Sequence, residues 1–152
     1  GCPTLSPPST LQEPAVAEIL ALYSLTLAFG GMVFFSAVFS PLVFIKLPAE
    51  TAGPFIRQVF PWYFAAVAAT LGVAALGLLI AADLTWGLVL AAMALAGVAN
   101  REVLMPAINR CRDRQLQGDT AAGKRFDRLH KASVVINLAQ MVAAGAALTA
   151  FL

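Results

Sequence analysis

The chain has 152 residues, of which 60% are hydrophobic and 12% are charged, and its mean hydropathy is +0.81. Because soluble domains are about a quarter charged, this composition excludes an ordinary soluble protein and indicates a single-domain integral membrane protein. The formal net charge of +2 gives no reason to expect a nucleic-acid partner.

The chain opens with a proline-rich segment, which predicts an outer tail at residues 1–13 before a transmembrane domain at residues 14–152. A segment with so little apolar area cannot order itself against the loss of conformational entropy. We therefore expect a neighbouring subunit or another surface to hold this tail wherever it is ordered.

Four apolar stretches follow the tail, at residues 16–47, 60–82, 84–99 with an extension to 108, and 132–152. Each can cross a hydrocarbon core of ~30 Å, which needs about 20 helical residues. The sequence therefore predicts an all-α integral membrane fold, an antiparallel bundle of four transmembrane helices.

Prolines and turn residues divide these stretches. Pro41 is expected to kink the first helix, because proline removes a backbone hydrogen bond and clashes one turn back. Three prolines divide the first connection and predict a short interfacial helix at residues 54–60, with its apolar side chains facing lipid. Asp83 leaves only a tight turn between the second and third helices. Gly118 is expected to end the third helix and Asp119 to cap the fourth.

The basic residues are confined to the first and third connections and their edges. Positive charge stays on the non-translocated side of a membrane, so both termini are expected on the outer, non-cytoplasmic side. The residues concerned are Lys46, Arg57, Arg101, Arg110, Arg112, Arg114, Lys124, Arg125, Arg128 and Lys131.

Polar side chains lie on one face of the fourth helix, at spacings of three and four residues. These residues are His130, Ser133, Asn137 and Gln140. The third helix contributes Asn100, Arg101 and Glu102 at about the depth of His130 and Ser133. One interpretation is a latch, in which Glu102 meets a basic residue of the loop while Asn137 and Gln140 bridge helices. The alternative is a pocket for a small molecule between the third and fourth helices.

His130 is the single histidine of the chain. One histidine per chain cannot supply a bis-histidine haem site, so haem binding at His130 is not favoured. We find no zinc motif, no phosphate-binding loop and no Ser/His/Asp set in the sequence. We therefore expect neither a metal site nor a catalytic site.

Four motifs in order carry a family resemblance: residues 30–44, residues 52–63, Asn100-Arg101 followed by Pro-Ala-Ile-Asn at residues 106–109, and residues 128–140. Together they resemble the transmembrane-protein-205-like family, also catalogued as domain of unknown function 4149. The resemblance implies a four-span membrane protein with no assigned enzyme activity. It also adds Asn109 to the polar residues of the latch or pocket.

Three functional hypotheses follow. The first is a non-catalytic accessory subunit of a larger membrane complex, with other integral membrane subunits and lipids as partners and with bound lipid or pigment as possible cofactors. The second is a binder or transporter of a small ligand in the pocket between the third and fourth helices. The third and least favoured is a haem-binding membrane oxidoreductase. A bacterial inner membrane or an organellar energy-transducing membrane is the expected location.

Overall fold

The computed structural model describes residues 12–151, which are almost entirely helical and contain no β-strand. Residues 1–11 of the tail, the expectation that a neighbour orders that tail, and Leu152 lie outside the described residues. The helices are α1 (Gln12–Phe34), α2 (Ser40–Lys46), α3 (Ala49–Ile80), α4 (Leu84–Ala99), α5 (Met105–Leu116) and α6 (Thr120–Leu148). The π-helical turns Phe35–Phe39 and Asn100–Leu104 join α1 to α2 and α4 to α5, and the 3-10 turn Thr149–Phe151 follows α6.

Within residues 12–151, four continuous helical stretches are long and apolar enough to cross a membrane. We call them spans one to four: Ala15–Lys46, Ala49–Ile80, Leu84–Leu116 and Thr120–Phe151. They confirm the predicted four-span helical fold and indicate an integral membrane protein. At 1.5 Å per residue each span is about 48 Å long, so each extends beyond a hydrocarbon core of ~30 Å.

The turns that precede spans three and four are built in the same way. The N–H of Asp83 donates to the carbonyl oxygen of Leu78 at 2.9 Å, which is the pattern of a Schellman helix end. The residue with positive φ is Ala82 in the first turn (φ 64°) and Gly118 in the second (φ 98°). Asp83 and Asp119 then each accept a hydrogen bond from the N–H three residues ahead. The predicted tight turn, helix end and cap are thus confirmed.

The predicted interfacial helix at residues 54–60 is wrong, because these residues belong to the continuous helix α3. Pro54 and Pro61 both lie inside α3 rather than at its boundaries. Ile56, which was expected to face lipid, is buried with 6% of its surface exposed. Proline is tolerated inside membrane helices because neighbouring groups can satisfy the backbone carbonyls that it frees. Interpreting each proline as a helix boundary therefore predicted helix breaks that α3 does not contain.

A proline follows each π-helical turn, Pro41 at the start of α2 and Pro106 at the start of α5. A proline ring clashes with the carbonyl four residues earlier in a regular α-helix. Those carbonyls belong to Ala37 and Glu102, which both lie in π-helical turns. The wider turn makes room for the ring without ending the span. The irregularity predicted at Pro41 thus takes the form of a π-helical turn.

Each span packs against the next one in the chain, and span four returns to span one. We call the half of the bundle that contains Asp83 the Asp83 half, and the half with the other two connections the basic half. The main core occupies the Asp83 half and consists largely of alanine and leucine side chains from all four spans. Gly77 permits a close approach of α3 to α1, since a Cβ there would lie 2.6 Å from the carbonyl oxygen of Ala17.

Replacing Gly77 with alanine should destabilise the bundle, because the added methyl meets backbone atoms of Ala17 and Ala21 rather than a movable side chain. Overpacking of about 1–3 kcal/mol should outweigh a gain of up to about 1 kcal/mol in helix propensity. Gly72→Ala is the matched control, since a Cβ there meets Ala94 at an ordinary 4.0 Å. Thermal unfolding in detergent should give a lower Tm for Gly77→Ala than for Gly72→Ala. Equal Tm values would contradict this packing.

Candidate functional site

A cavity of about 580 Å³ lies in the basic half of the bundle. Residues from all four spans line it. It is therefore broader than the predicted pocket, which was placed between spans three and four only. The part of span one that lines it begins in the π-helical turn Phe35–Phe39, and the part of span three begins at Met105, directly after the other π-helical turn.

Aromatic rings form one wall of the cavity. Phe35 stacks on Tyr63 with 4.0 Å between the ring centroids and 18° between the ring planes. Phe60 meets Phe35 edge-on at 5.5 Å and stacks on Phe64 at 5.8 Å. Such pairs stabilise one another beyond simple burial. The wall therefore offers a fixed apolar surface to anything in the cavity.

A polar link closes the end of the cavity nearest the middle of the bundle. The hydroxyl of Tyr63 donates to Oδ1 of Asn137 at 2.6 Å. The amide Nδ2 of Asn137 in turn donates to Oγ of Ser36 at 3.4 Å, a long and weaker contact. Three spans are joined at this level, since Tyr63 belongs to span two, Asn137 to span four and Ser36 to span one.

The opposite end of the cavity carries positive charge. Nη1 of Arg57 on span two lies 2.7 Å from Oδ1 of Asp113 on span three, and both side chains are partly exposed. Arg112 also lines the cavity, where it donates to Gln115 at 2.8 Å and lies 5.5 Å from the ring centroid of Phe126. An exposed ion pair of this kind adds little stability. Arg57 and Arg112 both line this end of the cavity.

The cavity has a buried floor and an exposed rim. The floor comes mainly from spans two and three, where Ile56, Phe64, Met105 and Ile108 are all at most 6% exposed. The rim comes from spans one and four, and it includes four exposed residues: Ser36, Phe44, His130 and Val134. The cavity therefore opens on the side between spans one and four.

Helix geometry gives the distance of each lining residue from the span ends near Asp83. At 1.5 Å per residue, Tyr63 lies about 25 Å, Arg57 about 35 Å and Arg112 about 42 Å from the span ends near Asp83. A core of ~30 Å that begins at those ends stops between Tyr63 and Arg57. With the core placed at those ends, the aromatic wall faces the apolar layer and the two arginines face the interface.

The structure divides the predicted polar residues into two groups. Four line the cavity: Asn109, His130, Ser133 and Asn137. The other four do not line it: Asn100, Arg101, Glu102 and Gln140. Asn100, Arg101 and Glu102 precede the part of span three that lines the cavity, and Gln140 lies about one helical turn beyond Asn137 toward the Asp83 half. Asn109 therefore lines the cavity, whereas Asn100 of the same span is buried outside it.

Gln140 bridges helices without reaching the cavity. Its Nε2 donates to the carbonyl oxygen of Met93 at 2.8 Å, which is the kind of contact expected of the latch. Gly97 leaves room for it, since a Cβ there would lie 3.1 Å from Nε2. Asn100 is fully buried, and its amide has no hydrogen-bond partner among residues 12–151.

The remaining latch contacts differ from the prediction. Glu102 pairs with its neighbour Arg101 at 2.6 Å, on an exposed surface, rather than with a basic residue of the loop. His130 stacks parallel to Phe126 one turn earlier, with 5.8 Å between centroids. Over the described residues, no group of three or more His, Cys, Asp or Glu side chains is placed to hold a metal ion.

Sequence reasoning missed several residues that shape the cavity. Tyr63 entered the prediction only within the motif at residues 52–63, and Arg57 was otherwise a topology signal. Ser36 and Ser40 were overlooked, although two hydroxyls four residues apart lie on one helical face and this face lines the cavity. The spacing of these two serines within an apolar span was the sequence signal that could have identified this part of the cavity lining.

Comparison with known proteins gives one match. The model of the family described as Domain of unknown function (DUF4149) matches residues 23–117, more than half of the chain. The chain belongs to the DUF4149 family. The predicted membership is thus confirmed for DUF4149, while the link to transmembrane protein 205 stays a prediction. No curated protein and no solved structure matches this chain significantly.

The DUF4149 match covers the lining residues of spans one to three, that is, of three of the four spans that line the cavity. It includes the aromatic wall, Arg57 and Arg112, but it ends before span four. Consequently the predicted pattern at His130, Ser133, Asn137 and Gln140 lies outside the matched segment.

The bond between Tyr63 and Asn137 can be measured with a double-mutant cycle. Tyr63→Phe and Asn137→Leu should each keep the fold and cost about 1 kcal/mol, with a coupling of about 0.5–1 kcal/mol between them, because hydrogen bonds between membrane helices have this size. Tyr63→Phe and Gln140→Met form the control cycle and should be additive, since Gln140 bonds to Met93 instead. Unfolding in mixed micelles supplies the free energies. Additive effects in both cycles would contradict the link.

Proposed function

We propose that this DUF4149 protein is non-catalytic and binds one small amphipathic molecule in the cavity. The observation that carries the proposal is the polarity gradient of the cavity, which runs from the rings of Phe35 and Tyr63 to the guanidiniums of Arg57 and Arg112. Its volume of about 580 Å³ falls within the ~300–1,000 Å³ of known small-molecule sites, which are mostly apolar with a few polar groups. The lining hydroxyls, amides and guanidiniums are groups that bind and orient a ligand.

The proposal includes an orientation in the membrane. The basic half would lie on the non-translocated side, with both termini on the other side, because basic connections resist translocation. A bacterial inner membrane or an organellar energy-transducing membrane would suit this arrangement. The cavity would then open at the leaflet next to the non-translocated compartment.

A role as an accessory subunit is the second candidate. Span one exposes a continuous apolar face in the Asp83 half, where Leu20, Tyr23 and Leu27 are 54%, 71% and 66% exposed. Such a face suits contact with other integral membrane subunits or with lipid. Native purification followed by identification of co-migrating proteins separates this candidate from a ligand binder, and an absorption spectrum of the same sample tests for pigment or for haem at His130.

Filling the cavity should abolish ligand binding. Gly53 lines the cavity, and a Cβ there meets no described atom within 4 Å, so Gly53→Leu should project into open space without distorting the bundle. Gly30→Leu is the matched control, since its Cβ site is equally open but lies away from the cavity. Native mass spectrometry with oleate and oleyl alcohol as probes should show one saturable adduct of at least one probe on the wild type and on Gly30→Leu. Equal binding by Gly53→Leu would overturn the proposed function.

Cysteine labelling should place the two ends of the bundle on opposite sides of the membrane. Thr85 and Gln117 are exposed, one beside the Asp83 turn and the other in the third connection. In a Cys2→Ser/Cys111→Ser background, an impermeant maleimide added outside intact cells or organelles should label Thr85→Cys. Gln117→Cys should react only after permeabilisation. Labelling of both from one side would refute the orientation.

A further inference from the structure

The charged end of the cavity has an excess of positive charge. Arg57 and Arg112 line it, whereas Asp113, the partner of Arg57, does not. Asp113 is 54% exposed and its carboxylate binds one side of a guanidinium that has five N–H donors. Both arginines therefore keep donors for an anion, and arginine suits carboxylate and phosphate groups especially well.

The other side of the site is open to the membrane. Phe44 of span one and Val134 of span four are 58% and 52% exposed at the rim, so apolar side chains border the opening between these spans together with the polar Ser36 and His130. At 1.5 Å per residue, Val134 lies about 25 Å from the span end near Asp83, within a core of ~30 Å where lipid chains surround the bundle, whereas Phe44 lies about 43 Å away, at the level of the arginines. An apolar chain can thus lie between the two spans while its polar end reaches the arginines.

We propose, on the basis of the ligand-binding function above, that the cavity takes an anionic amphiphile from the adjacent leaflet. Its carboxylate or phosphate would bind Arg57 and Arg112, and its hydrocarbon chain would pass between spans one and four onto the aromatic wall. The depth of the site supports this match, since the arginines lie at the interface and the rings of Phe60 and Tyr63 lie nearer the core. A soluble anion would use the arginines but would gain nothing from the aromatic wall.

The ion pair between Arg57 and Asp113 allows a test in which two variants should act in opposite directions. Arg57→Gln should weaken oleate binding about tenfold, because it removes a charge-assisted contact and leaves the carboxylate of Asp113 nearby. Asp113→Asn should strengthen oleate binding, because it removes that carboxylate and frees the guanidinium. Both variants break the same ion pair, so a purely structural role would move binding in one direction. Arg110 and Arg114 are exposed basic residues of α5, the helix that carries Asp113, and they lie outside the cavity lining. Arg110→Gln and Arg114→Gln should therefore leave oleate binding unchanged.

Native mass spectrometry of the full chain with three probes completes the experiment: oleate, oleyl alcohol and inorganic phosphate. The proposal expects oleate to bind about tenfold more tightly than oleyl alcohol, and it expects phosphate not to displace oleate. Equal binding of the two oleyl probes, lost in Gly53→Leu, would keep the proposed function and overturn the anionic preference. Displacement by phosphate would assign the site to a soluble anion instead. Binding of neither oleyl probe would overturn both proposals.

Discussion

The hydrogen bond between Tyr63 and Asn137 marks the boundary between the two halves of this bundle. On one side of it, alanine and glycine let the spans pack closely, as at Gly77 against Ala17. On the other side, aromatic rings and arginines surround a cavity. Hydrocarbon offers no partner for a hydroxyl or an amide, so each of these groups depends on the other. The link therefore lies where close packing ends and the cavity begins.

The prolines of spans one and three shape the same region through the backbone. The rings of Pro41 and Pro106 would each clash with the carbonyl four residues earlier in a regular helical turn, and a π-helical turn precedes each of them. Because a π-helical turn contains an extra residue, the segments that follow present different faces than a continuous α-helix would. Ser40 and Asn109 line the cavity from these rotated segments. The lining of the cavity thus depends on the backbone conformation of spans one and three as well as on side-chain size.

The sequence was sufficient for the parts of the fold that depend on local chemistry. Apolar length predicted four spans, and Gly118 with Asp119 predicted a helix end and a cap, since each signal acts within a few residues. The sequence misled at Pro54 and Pro61, because membrane helices tolerate prolines that would end a helix in water. It also did not predict that Tyr63 and Asn137 meet, because a contact between side chains of different spans depends on how each helix is rotated. Arg57 illustrates the same limit: its charge was visible, but its pairing with Asp113 was not.

A crystal structure of the protein with a brominated fatty acid would test the central claim most directly, because bromine can be located by its anomalous scattering. The account predicts bromine inside the cavity, beside Phe64 and Met105, with the carboxylate between Arg57 and Arg112. Bromine found only on the outer surface of the bundle, with the cavity filled by side chains, would contradict it.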